Sequence, residues 1–104
     1  DLISPFKAAV GINYKALEEK LQMAVHLRFG LPAHVPPVLK TLLKRADLIS
    51  AYYEASQLAG FDEPEARRLF GRPPARLRAP RLAPLSTGDA EAQFLDRFRR
   101  LYLA

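Results

Sequence analysis

The sequence predicts an all-α fold, a helical bundle, on three observations. Apolar residues recur at intervals of three and four along most of the chain, which is the period of a helix with one buried face. Helix start and stop residues bracket each of these stretches. No two strand-like runs are joined by a hairpin signal, and no internal repeat is visible.

The opening stretch, 1–11, shows no helical period before Pro5 and ends on Gly11, so it is expected to be a structured loop with at most one turn. Asn13 is expected to cap the first helix, with Ile12 and Leu17 placed as a hydrophobic staple around the entry. Leu17, Leu21, Ala24, Val25 and Arg28 mark one face of that helix, and Lys15, Glu18, Gln22 and His26 mark the other. Gly30 stands where a left-handed residue ends a helix. Pro36 and Pro37 then suit a first turn, where a missing N–H costs nothing, and open a second helix that runs to about Ala59. Its expected apolar stripe is Leu39, Leu42, Leu43, Ala46, Ile49, Ser50 and Tyr53, and Gly60 supplies the stop.

Asp62 and Glu65 form a capping-box-like pair around Pro64, opening a short helix that passes Phe70 and closes on Gly71. Residues 72–85 carry four prolines and four arginines and should be extended over the surface. Ser86 with Asp89 caps a last helix whose stripe is Ala90, Phe94, Phe98, Leu101 and Tyr102, and that stripe is expected to pack the helix home.

With 104 residues, 49% of them hydrophobic, the chain is the size of one small domain. No run approaches the roughly 20 apolar residues of a membrane span, and the N-terminus has no secretory-signal layout. A soluble, cytoplasmic protein is therefore expected, with no membrane partner. The absence of cysteine excludes disulfides and thiolate metal sites, so any metal must use oxygen or nitrogen ligands. The formal charge of +5 favours anionic partners and is local. Arg72, Arg76, Arg78 and Arg81 lie in the proline-rich stretch, and Arg97, Arg99 and Arg100 lie near the C-terminus. A first residue of aspartate, not methionine, suggests a piece of a longer polypeptide.

Asp47 is the most informative single residue. It falls in the middle of the second helix, at the edge of the apolar stripe, with Leu43, Lys44, Ser50 and Ala51 one turn away. A carboxylate in such a place needs a partner, because an uncompensated buried charge costs several kcal/mol or shifts its pKa strongly. A metal ion, Lys44 or a distant arginine can fill that role; spacing alone favours a plain helix-flank ion pair with Lys44.

The run 44–54, Lys-Arg-Ala-Asp-Leu-Ile-Ser-Ala-Tyr-Tyr-Glu, resembles the helix that carries the last metal-binding aspartate in the HD superfamily of metal-dependent phosphohydrolases. The opening Asp-Leu-Ile-Ser-Pro-Phe-Lys resembles the Asp-Leu-x-x-Pro-x-Lys segment that follows the HD motif in the bacterial 5′-deoxynucleotidase branch. The two motifs occur in the family's order, and the likeness continues through Leu58, Ala59, Gly60 and Phe61 to about Gly71. The resemblance implies a partial HD-like fold: 1–71 as the C-terminal part of the helical domain, 72–85 as a basic connector, and 86–104 as a helix packed on the same domain.

The resemblance also implies residue roles. Asp47 would be a ligand of a divalent metal cation, and such a cation polarises phosphate and activates water. Asp1 would be the catalytic acidic residue beside substrate and attacking water, able to hold or deprotonate it within hydrogen-bond reach. Lys7 is a candidate for substrate phosphate, against the plainer reading of a solvated lysine. The chain departs from the family in one respect: neither His26 nor His34 is followed by aspartate or precedes Asp1, so the His and His-Asp ligands are absent. One carboxylate with a remote histidine is not a metal-ligand spacing, so this chain alone is expected to be inactive.

The resulting expectation is part of an enzyme that hydrolyses nucleotide-like phosphate monoesters. A missing N-terminal segment, on the same gene or another chain, would complete it. Uncovered apolar faces of a partial bundle would favour a homo-oligomer. A small basic module binding nucleic acid through 72–81 and the last helix ranks behind it, because that tract lacks interleaved aromatics for base stacking. An inactive HD-like interaction protein is the third reading.

Overall fold

The computed structural model describes residue 9 and residues 11–104. Among them the fold is all-α, with four helices: α1 Ile12–Arg28, α2 Pro37–Gln57, α3 Glu63–Phe70 and α4 Thr87–Tyr102. The chain divides into two compact units between Leu42 and Leu43, inside α2.

In the first unit, α1 starts two residues before the expected position. Gly11, at φ +85°, precedes the first helical residue, and no side chain caps the helix. The Tyr14 N–H donates to the Gly11 carbonyl at 3.3 Å. Glycine enters the helix from a backbone conformation costly to other residues, so Asn13 lies inside the helix and not at its cap. The far end follows the sequence reading. Gly30 sits at φ +70°. The Leu31 N–H bonds the His26 carbonyl at 2.8 Å and the Gly30 N–H bonds that of Leu27 at 3.2 Å, the double closure of a Schellman motif.

The second unit holds the buried cluster. Tyr52 and Ala55 of α2 pack with Ala66 of α3, and Tyr53 and Phe70 lie partly buried against them. Ala66 has no exposed surface. Two alanines at the contact let the helices approach closely, and Tyr52 is the one large side chain among the three buried residues. The Tyr52 hydroxyl reaches Oε1 of Glu63 at 3.4 Å, and Oε2 of the same carboxylate accepts from Arg67 at 3.1 Å. Asp62 accepts the Glu65 N–H at 2.8 Å and caps α3, with Pro64 in its first turn.

The buried line on α2 therefore runs through Tyr52 and Ala55. The expected stripe through Tyr53 lies one residue, or about 100°, around the helix. Leu39, Leu42 and Leu43 from that stripe are about half exposed. The rotation follows from the short turn at Gly60, φ +77°, which brings α3 back onto the small Ala55.

Residues 72–85 form no helix or strand. The Leu77 N–H closes a turn on the Pro74 carbonyl at 3.0 Å. The Gln57 side chain then bridges to the tract twice: Nε2 donates to the Pro80 carbonyl at 2.9 Å, and Oε1 accepts the Leu82 N–H at 2.8 Å. Ser86 caps α4 as expected, accepting the Asp89 N–H at 3.1 Å and donating to its carboxylate at 2.7 Å. No residue of α4 is buried, and Phe94 is 71% exposed. Phe98 and Tyr102 stack on each other, with centroids 5.2 Å apart.

Two stability predictions follow from these contacts. Ala66→Leu overfills the α2–α3 contact and should destabilise the second unit by roughly 1–3 kcal/mol in urea unfolding followed by circular dichroism. Ser86→Ala removes the α4 cap and should cost about 1 kcal/mol of helix stability, read as lost helical signal near the C-terminus by amide chemical shifts.

Candidate functional site

Asp47 lies in the second unit, ten residues before the C-terminal end of α2. Its carboxylate is not at a buried edge. The side chain is 72% exposed, and Oδ2 stands 3.6 Å from Nζ of Lys44, itself 71% exposed. This is the helix-flank pairing that an i, i+3 spacing allows, and at such exposure water screens most of its Coulomb energy. The expected crowding by the apolar stripe is absent because the buried line of α2 faces Tyr52 and Ala55. The carboxylate consequently needs no burial partner and stays accessible to a cation or an incoming chain.

Asp1 and Lys7, the expected catalytic residue and phosphate contact, lie outside the described residues.

The two histidines are placed apart from Asp47 in the sequence and are used differently. His26 is tied into the end of α1. Its Nδ1 donates to the Pro32 carbonyl at 2.9 Å, and its Nε2 accepts from the Gln22 side-chain amide at 2.6 Å. With both ring nitrogens engaged, the imidazole reinforces the turn after Gly30 and presents no lone pair to a metal. His34 is exposed in the connection between α1 and α2.

Among the described residues no group of three or more histidine, cysteine, aspartate or glutamate side chains is positioned to hold a metal ion. A catalytic zinc site takes three protein ligands, and a Mg²⁺ site one or two carboxylates with substrate phosphate and water. The described residues supply one carboxylate at Asp47, so they do not by themselves fit such an ion, and no chemical step can be derived through it here.

Concave surface is found elsewhere. A shallow, open depression runs along α1 between Tyr14, Leu17, Glu18, Leu21, Gln22 and Val25. Its walls come from one helix, with Leu17, Leu21 and Val25, each more than half exposed, beside the polar Glu18 and Gln22. Asp47 does not line it.

Sequence reasoning missed Gln57. A glutamine at a helix end reads as ordinary solvated surface, and its partners lie 23 and 25 residues away. It missed Glu63 too, whose carboxylate joins the Tyr52 hydroxyl to Arg67. Only the Glu63–Arg67 half, an i, i+4 pair, carries a local signal.

No helix among the described residues is long and apolar enough to cross a membrane. No family model matches the chain. The chain is 55% identical over 73 residues to an uncharacterized protein of Rhodobacter capsulatus, covering 70% of this chain and 37% of that protein. It is 33% identical over 101 residues to the uncharacterized protein YfdR of Escherichia coli K12, covering 97% of this chain and 53% of YfdR. The chain thus spans about half the length, or less, of the curated relatives it matches.

Proposed function

We propose that this chain is the C-terminal helical part of an HD-type metal-dependent phosphohydrolase acting on nucleotide-like phosphate monoesters. The observation that carries the reading is Asp47: an accessible carboxylate in the middle of the long helix α2, within the run that resembles the HD ligand helix. Its one close ionic partner among the described residues is Lys44, held at 3.6 Å by a weak surface pairing that a divalent cation would readily replace. The all-helical scaffold is the architecture the resemblance implies.

In this reading Asp47 contributes one ligand to a divalent metal cation. The His and His-Asp ligands come from residues outside this chain, and the relatives' greater length leaves room for them. Asp1 stands beside substrate and water, and Lys7 contacts phosphate.

The test uses the intact polypeptide to which this segment belongs. It should release inorganic phosphate from nucleoside monophosphates only when a divalent cation such as Mn²⁺ or Co²⁺ is added, and chelation should remove the activity. Asp47→Ala should lower kcat at least about 100-fold, since loss of a ligand removes the cation's contribution to the chemical step. The same substitution should move the unfolding free energy by no more than about 0.5 kcal/mol, the scale of an exposed ion pair. Full activity in the Asp47→Ala protein would take this residue off the ligand list and the reading with it.

A further inference from the structure

We propose that the arginine tract 72–81, fastened to α2 by Gln57, is a docking surface for the phosphate backbone of duplex nucleic acid. The surface is distinct from Asp47 and does not rest on the phosphohydrolase reading.

The charge pattern comes first. Across residues 66–88 the sequence holds no aspartate or glutamate, yet carries Arg67, Arg68, Arg72, Arg76, Arg78 and Arg81. Arg67 is taken up by Glu63. Arg72, Arg76, Arg78 and Arg81 are all exposed, and none takes part in an ion pair among the described residues. A protein surface that leaves neighbouring like charges uncompensated raises the local concentration of a polyanion. Every basic residue in the tract is arginine, whose planar fork matches a phosphate with two N–H donors at once.

The structure adds what the sequence lacks, a reason for the tract to hold a shape. Four prolines at 73, 74, 80 and 84 restrict the backbone. The Gln57 carboxamide bonds the Pro80 carbonyl and the Leu82 N–H, as a neighbouring strand's peptide group would, and leaves the intervening Arg81 exposed. The turn from Pro74 to Leu77 sets Arg76 inside a second fixed point. Arg78 and Arg81 are then at most about 10 Å apart along the chain. Arginines ordered before binding lose less conformational entropy on contact than they would from a free coil.

The absence of aromatics decides which nucleic acid. Residues 71–93 contain no Phe, Tyr or Trp, so the tract offers no platform on which splayed bases could stack. Sequence-independent contact with the backbone of a duplex is the mode that remains for it.

Fluorescence anisotropy of a labelled random-sequence DNA duplex, titrated with the protein between 50 and 200 mM salt, tests the proposal. The parent should bind at 50 mM with affinity that falls as salt rises, because each phosphate neutralised adds about −0.9 to the log–log slope. The triple variant Arg76→Gln, Arg78→Gln, Arg81→Gln should bind at least about tenfold more weakly, with a slope shallower by about 2–3. Gln57→Ala keeps every charge and should weaken binding several-fold at an unchanged slope, with helix content by circular dichroism as the folding control. Equal binding by the triple variant and the parent would overturn the proposal. So would adsorption to phosphatidylserine vesicles without any binding to duplex.

Discussion

The second unit depends on the contact between Ala55 and Ala66, roofed by the Tyr52 ring. Two methyl groups at a helix crossing are small enough for the backbones to approach, and that approach sets which face of α2 is inside. The rest follows from the same choice. Tyr52 turns inward and its hydroxyl finds Glu63, which also holds Arg67. Ser56 folds its hydroxyl back onto the Tyr52 carbonyl at 2.8 Å, so a polar residue beside the contact brings no unmet donor into it. Gln57, next along, is left outside and free to reach the proline-rich tract. One small pair thus fixes the burial register, the polar bridge above it and the path of the chain beyond α3.

Helix termini were legible in the sequence because their chemistry is local. Gly30, Gly60 and Gly71 all adopt the positive φ expected of residues that end helices, and Asp62 and Ser86 cap as their spacing to Glu65 and Asp89 indicates. The one terminus that differed, at Gly11, did so because a glycine entering at φ +85° moved the first turn ahead of Asn13. Burial register was not legible. Periodicity shows that a helix has an apolar side, but the partner decides which part of a broad stripe is covered, and leucines outnumber the alanines that are in contact. The Gln57 bridges were invisible for a related reason, since nothing nearby in sequence marks residues 80 and 82 as their acceptor and donor.

The candidate site was legible in part. The i, i+3 relation of Lys44 to Asp47 is a helical-wheel statement, and the structure contains that pair. The expectation of a crowded carboxylate failed with the stripe from which it was drawn. Asp47 and the arginine tract also carry opposite charges. A carboxylate on the flank of α2 and a tract without acids can therefore serve separate contacts without competing for the same ion.

The last helix, α4, has sixteen residues and none of them buried. Helices of that length in water sit near the balance between nucleation cost and propagation gain. Its local supports include the Ser86 cap, the Asp96–Arg100 ion pair at 2.9 Å and the Phe98–Tyr102 stack. Its amide protons should thus exchange with solvent through local fraying, at free energies well below those governing the protons around Tyr52, and a protease would find a foothold there before it reached the contact between α2 and α3.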